Sequence, residues 1–319
     1  MLKRIRYAAL GACFWLAGCA IHPLPEDSTG LSTFQIVRQI RCETRQAIIE
    51  SALDWLSTSS DPAARRLGQE FRDGIRPVQS FHYNLFRGDV RKILQLFFDT
   101  GVAYNYSLEM TEVNNVGAGI NLLQPFTNAS GTLGLSASAD RQRQNLRTFT
   151  ITDAFSKLIR SIDRGYCADQ VVGENYAYPI SGRIGMKSVV KDFIDLTLFA
   201  NLGGPADKVK GPPTLVDALD FQTTLSVSAF PKIVFSPVGR GLSVLDASAN
   251  GTASRKDVHR VIVGLALPET GLPAALDFRR TLVGPLLTAR GDPSELVAAN
   301  AVNQVLTRQV LRPVINITP

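Results

Sequence analysis

Three histidines are the natural place to look for acid–base chemistry, and their settings restrict them. His22 sits in a polar, Pro-bearing stretch that gives no fixed geometry. His82, in Ser80-Phe81-His82-Tyr83, lies where a helix starts, a setting that suits packing or capping. His259 alternates with Val261, Val263 and Leu265, so it points toward a semi-buried sheet face. Asp257 shares that face and Ser254 is nearby. A Ser/His/Asp set would make a hydrolase, but such a triad is recognised by geometry rather than proximity in sequence. No G-x-S-x-G elbow supports it. A hydrolase using His259 or His82 is therefore the alternative reading, and no catalytic residue is named.

Other chemistry leaves less trace. The chain has no H-E-x-x-H, no C-x-x-C and no calcium-loop spacing, so no metal is expected. Gly117-Ala118-Gly119 and Gly239-Arg240-Gly241 lack the third glycine and the lysine of phosphate cradles, and no cofactor is expected. Nothing selects an acid/base pair from the 28 carboxylates. The one grouping that invites a ligand is basic: Arg141, Arg143 and Arg147, echoed by Arg255 and Lys256. Cationic groups at those positions, four of them guanidinium, would suit an anionic partner, either an envelope polymer or a protein complex.

The first 20 residues have the layout of an export signal. Lys3, Arg4 and Arg6 precede an uncharged stretch from Ala8 to Ala17, too short to span a bilayer as a stable anchor. It ends in Leu16-Ala17-Gly18-Cys19, which resembles the lipobox of bacterial lipoproteins. The resemblance implies cleavage after residue 18, lipid on Cys19 and attachment to a membrane. Ala20 after the cysteine points, by analogy with other lipoproteins, to the outer membrane, facing the periplasm. The resemblance is confined to the leader, and the rest of the chain carries no motif of a recognised family. An ordinary secreted protein, with Cys19 incidental, is the other reading of this leader. In an exported protein Cys42 and Cys167 remain as a pair, and a disulfide between them is the simplest outcome. Two buried thiols are the alternative.

Composition agrees with a globular chain: 45% hydrophobic and 19% charged. Losing Lys3, Arg4 and Arg6 would halve the formal net charge of +6, which leaves too little to argue for nucleic acid. No later stretch is long and apolar enough for a transmembrane helix.

The elements that must position these residues can be read from periodicity. Residues 19–32 read as a tether. Ser32 and Gln35 form a capping box, and Phe34, Val37, Ile40, Thr44, Ile48, Ala52 and Trp55 follow at helical spacing. Asp61-Pro62 opens a second helix and Asp89 to Asp99 makes a third. Val102, Tyr104, Tyr106, Leu108 and Met110 then alternate as a half-buried strand. Residues 130–139 and 145–152 read as two strands joined by a polar tip, with a helix from Asp153 to about Asp163. Residues 221–229, 232–236, 241–249 and 258–267 form a second set, after a helix at 186–200 and a Gly/Pro/Lys loop at 203–213. Asp292-Pro293 opens a closing helix. The passages 135–151 and 245–263 resemble one another, which suggests a duplicated unit.

The expected fold is α+β, antiparallel sheet with helices packed on one face. The units would span residues 33–167 and 168–319, after the leader 1–18 and tether 19–32, or the whole would be one domain. A single-chain outer-membrane barrel fits poorly, since the strands vary in length and aromatic girdles are missing. The Pro319 ending is also unlike the aromatic ending typical of such barrels. The expected role is binding or structural support in the cell envelope, through a lipid anchor.

Overall fold

The computed structural model describes residues 22–127, 129–162, 164–168, 173–200, 202, 212–235, 242–268, 297, 301 and 302. The leader and Cys19, most of the loop 203–213 and all but three residues of the closing helix lie outside them. The elements run α1 (Glu26–Thr29), α2 (Thr33–Ser57), α3 (Pro62–Arg72), α4 (Gly88–Phe98), β1 (Gly101–Pro125), β2 (Ser130–Ala154), α5 (Phe155–Arg160), α6 (Arg164–Cys167), α7 (Met186–Phe199), β3 (Thr214–Ala229), β4 (Lys232–Val234) and β5 (Ser243–Ala266). The fold is α+β, with an antiparallel sheet in the order β2-β1-β5-β3 and β4 paired to β5. By contact the chain divides into two units. Of the described residues, a helical unit takes Ser28–Glu109, Leu146–Thr224 and those from Lys256 onward; a strand unit takes those up to Asp27, Met110–Asn145 and Leu225–Arg255.

In the helical unit α2 is the organising element. Its capping box forms: the Ser32 hydroxyl accepts from the Gln35 N–H at 3.3 Å, and Gln35 Oε1 accepts from the Ser32 N–H at 2.7 Å. Ile36, Ile40, Ile48 and Leu56 are buried along one face, while Phe34 is exposed and meets Tyr166 edge-on. Three consecutive residues then tie α2 to three separate places. Arg41 donates two hydrogen bonds of 2.7 Å to Asp153 at the end of β2. Cys42 is bonded to Cys167, with Cα atoms 5.6 Å apart. Glu43, itself buried, accepts from the backbone N–H groups of Ile184, Gly185 and Met186 at 2.9, 2.8 and 3.0 Å. That carboxylate caps α7, whose N-cap Gly185 has no side chain to do so and sits at φ +93°, a backbone conformation that favours glycine. Around this helix the apolar rows of β1 (Tyr104, Tyr106, Leu108) and β5 (Val261, Val263, Leu265) are fully buried.

The strand unit departs from the expected pattern of short hairpins. Residues 130–154 form one unbroken strand, as do 243–266, and β1 runs on to Pro125. The polar stretches read as tips, around Arg141 and around Asn250, are mid-strand. They stay extended although burial does not alternate there, and Asn250-Gly251 lies inside the pairing of β5 with β1 rather than at a turn. The Asn250 side chain covers Gly117, where an added Cβ would come within 2.2 Å of its Oδ1.

Glu43→Ala is expected to lower the free energy of unfolding by about 3 kcal/mol, because three backbone donors, two of them buried, lose an ionised acceptor. Glu43→Gln should fall between it and wild type. Denaturant melts with the disulfide intact check this, and a loss below about 1 kcal/mol would mean that α7 is capped by other means.

Candidate functional site

Period two decides what each strand of the distal sheet presents. On β1, Val116, Ala118, Ile120 and Leu122 alternate with Asn115, Gly117, Gly119 and Asn121. On β2, Leu133, Leu135, Ala137 and Ala139 alternate with Gly134, Ser136, Ser138 and Asp140. On β5, Leu245, Ala247, Ala249 and Ala253 alternate with Asp246, Ser248, Asn250 and Ser254. Leu225, Val227 and Ala229 of β3 alternate with Ser226 and Ser228.

Contacts between strands show that the polar sets share one face. Asn121 donates to Asp246 Oδ1 at 2.9 Å. Cβ atoms added at Gly117, Gly119 and Gly134 would meet Asn250, Ser248 and Asn121. The apolar sets of β1, β2 and β5 therefore line the other face together. Leu133, Leu135 and Val116 there are each more than half exposed, at 53, 54 and 51%. An apolar band this continuous marks a surface that meets something other than water.

Where the band ends, the same face turns charged. Glu112, in phase with Val116, accepts from Arg143 of β2 at 2.7 Å and from Arg255 of β5 at 3.3 Å. Arg255, whose side chain is only 11% exposed, also donates to the Leu24 carbonyl at 2.5 Å and lies 3.8 Å from Asp27. Asn145 donates to the Pro23 carbonyl at 3.0 Å. Pro23 and Pro25 are buried. The segment read as a loose tether is thus docked, at residues 23–27, on the apolar face at the edge of its band.

Of the basic residues picked out by sequence, Arg143 and Arg255 meet over Glu112. Arg147 instead donates to Thr33 Oγ1 at 2.6 Å in the helical unit. Arg141 and Lys256 are exposed. Glu112, Asn145 and the docked residues 23–27 were not visible as site residues, although in-phase alternation from Glu112 to Val116 was the available signal.

The histidines are engaged otherwise. His259 and Asp257 are buried, each 2% exposed, and Tyr178 joins them. The Tyr178 hydroxyl donates to Asp257 Oδ2 at 3.0 Å and pairs with His259 Nε2, and Ser28 donates to the same carboxylate at 3.4 Å. Ser254 occupies the opposite phase of β5. His82 Nδ1 accepts from the Asn84 N–H at 3.1 Å and packs against Tyr83 and Phe98. Desolvation there pushes its pKa below the usual histidine value. An apolar hollow of about 70 Å³ lies among Trp55, Phe81, Phe97, Phe98 and Ile159, lined by no titratable side chain. Among the described residues no three His, Cys, Asp or Glu side chains gather to hold a metal ion. No described helix is long and apolar enough to cross a membrane, which leaves strands out of account.

Arg255→Ala is expected to release residues 23–27, raising amide hydrogen exchange there at least several-fold while α2 and α7 keep their protection. Unchanged exchange in that segment would show that Pro23 and Pro25 hold it by packing alone.

A profile of the family described as "Uncharacterised protein y4kA" matches residues 22–282. Uncharacterized protein y4kA of Sinorhizobium fredii is 29% identical over 268 residues, 82% of each chain. The expectation that the chain beyond the leader has no recognised family is thereby corrected. Among solved structures, the InvG secretin β-barrel domain of the Salmonella SPI-1 injectisome is 9% identical over 70% of this chain and 72% of its own, at a TM-score of 0.22. The ETEC pilotin–secretin AspS–GspD complex is 9% identical over 69% and 63%, at 0.25. Neither score carries an argument.

Proposed function

The chain belongs to the Y4kA family, and for this member of it we propose a lipid-anchored envelope protein with a structural role, whose apolar strand face enters the outer membrane. The observation that carries the reading is the docking of residues 23–27 on that same face. Acyl chains on Cys19 would follow only four residues upstream, a reach of at most about 14 Å. Lipid anchor and apolar band would then enter the same bilayer from the same side.

The dimensions agree. Seven-residue bands such as Val116–Leu122 and Leu133–Ala139 span roughly 20 Å at about 3.3 Å per residue. Outer-membrane strands present an apolar band of about 25 Å in a bilayer thinner than average. Arg143, Glu112 and Arg255, just beyond the band, fall where headgroups would lie. The Cys42–Cys167 bond suits an oxidising periplasm.

Cys19→Ala is expected to end lipid labelling. The unacylated protein should still float with vesicles of outer-membrane phospholipids. Adding Leu133→Arg and Leu135→Arg should abolish flotation, since each buried charge costs about 2–4 kcal/mol at the bilayer midplane. Ser136→Arg, on the polar face, should leave it unchanged. Equal flotation of the leucine and serine variants would overturn the reading.

A further inference from the structure

We infer that copies of this chain join edge to edge, β2 of one against β3 of the next, and close into an oligomeric barrel whose polar face lines an aqueous pore. The inference rests on the membrane reading above and names the partner that reading requires: a second copy of the same chain.

The path β2-β1-β5-β3 cannot close on itself, and it leaves β2 as one outer strand and β3, continued along β5 by β4, as the other. In hydrocarbon every backbone N–H and C=O must be hydrogen-bonded within protein, so a sheet with two open edges is not a stable membrane structure. Closure by further copies removes both edges. Part of each edge lacks the usual protection against pairing, although Pro231 and Lys232 sit where β4 continues the β3 edge and Asp140, Arg141 and Arg143 follow on β2. Residues 130–139 of β2 and 221–229 of β3 contain no proline, lysine or other charged residue. They are β-compatible stretches of Ser, Thr, Ala, Leu and Val, with one Phe, one Gln and two Gly residues.

Strand direction fixes which edges can meet. In the antiparallel order, neighbours alternate in direction, so β2 and β3 run oppositely and a β3–β2 junction continues the alternation without a break. An even number of strands per copy makes this true around the whole ring. Like-with-like junctions fail. A two-fold axis normal to the sheet would pair β2 with β2 but turn one copy end over end, placing the two docked N-terminal segments on opposite sides of the bilayer. A two-fold axis along the strands would put the apolar face of one copy beside the polar face of the next. Head-to-tail joining keeps both the anchor side and the apolar face, and head-to-tail contacts form rings when the rotation closes.

The polar face explains what the ring encloses. Gly117, Gly119 and Gly134 leave room for Asn121, Ser248 and Asn250, so short polar side chains line the lumen rather than filling it. A water-filled channel needs about 16 strands, or four copies and upward, against the 8 that side chains can fill.

The test uses the full chain with its native cysteines, since Cys42 and Cys167 are already bonded to each other. One cysteine is placed on β2 (Ser136→Cys or Ser138→Cys) and one on β3 (Ser226→Cys or Ser228→Cys), and membranes are oxidised. At least one β2/β3 pair is expected to give a ladder beyond dimer on non-reducing gels, and each single variant to stay monomeric. The purified protein should produce stepwise conductance in planar bilayers. Single variants that crosslink as dimers, or pairs that remain monomeric without conductance, would overturn the assembly. If that happens while the protein still floats with vesicles, the membrane reading stands alone; if flotation also fails, both fall.

Discussion

Strand side chains alternate with a period of two, and a one-residue slip between neighbours would send every side chain to the wrong face. The distal sheet depends on β1, β2 and β5 keeping that phase together. Gly117 against Asn250, Gly119 against Ser248, Gly134 against Asn121 and the Asn121–Asp246 hydrogen bond all lie on the polar face and fix it. Glu112, bridging Arg143 and Arg255, fixes the apolar face where the band gives way to charge. Desolvation sharpens that second lock: Arg255 is almost buried, so it needs both the carboxylate and the Leu24 carbonyl. The docked N-terminal segment is therefore part of what satisfies the strand unit's own polar groups.

The helical unit is held by a different logic, concentrated in Arg41, Cys42 and Glu43. An ion pair, a covalent bond and a helix cap leave one turn of α2 toward three partners. Asp153 is largely buried and Arg41 partly so, and the two-bond geometry offsets the cost of drying both charges. Asp153, hydrogen-bonded to Arg41, holds the guanidinium pKa above its usual range. Burial likewise pushes the Tyr104 and Tyr106 hydroxyls far above the usual phenol value, so neither ionises in any physiological range. The buried Tyr178–Asp257–His259 set belongs with these: polar groups hydrogen-bonded to one another at 5% exposure or less.

Local signals were legible in the sequence where the physics is local. The Ser32/Gln35 capping box, the Asp61-Pro62 helix start and the stop near Gly101 all have partners within four residues. The Cys42–Cys167 bond followed from there being two cysteines in a chain read as exported, although it spans 125 residues. Strand continuity was not legible. Asp140 to Asn145 has the composition of a turn, and only pairing with β1 shows that these residues remain extended. Arg143 and Arg255 were singled out as a basic surface, but the residue between them, Glu112, lay just beyond the strand read from Val102 to Met110. Docking of residues 23–27 was out of reach for the same reason: two prolines and no periodicity describe a loose tether as well as a buried one.

The central claim is that one face of the strand unit meets lipid and the other meets water. It is tested most directly by tryptophans placed singly at residues 133 to 138, with Trp15 and Trp55 replaced by Phe, in vesicles carrying brominated acyl chains. Quenching should alternate, strong at 133, 135 and 137 and weak at 134, 136 and 138. Uniform quenching, or none at any position, would contradict the account.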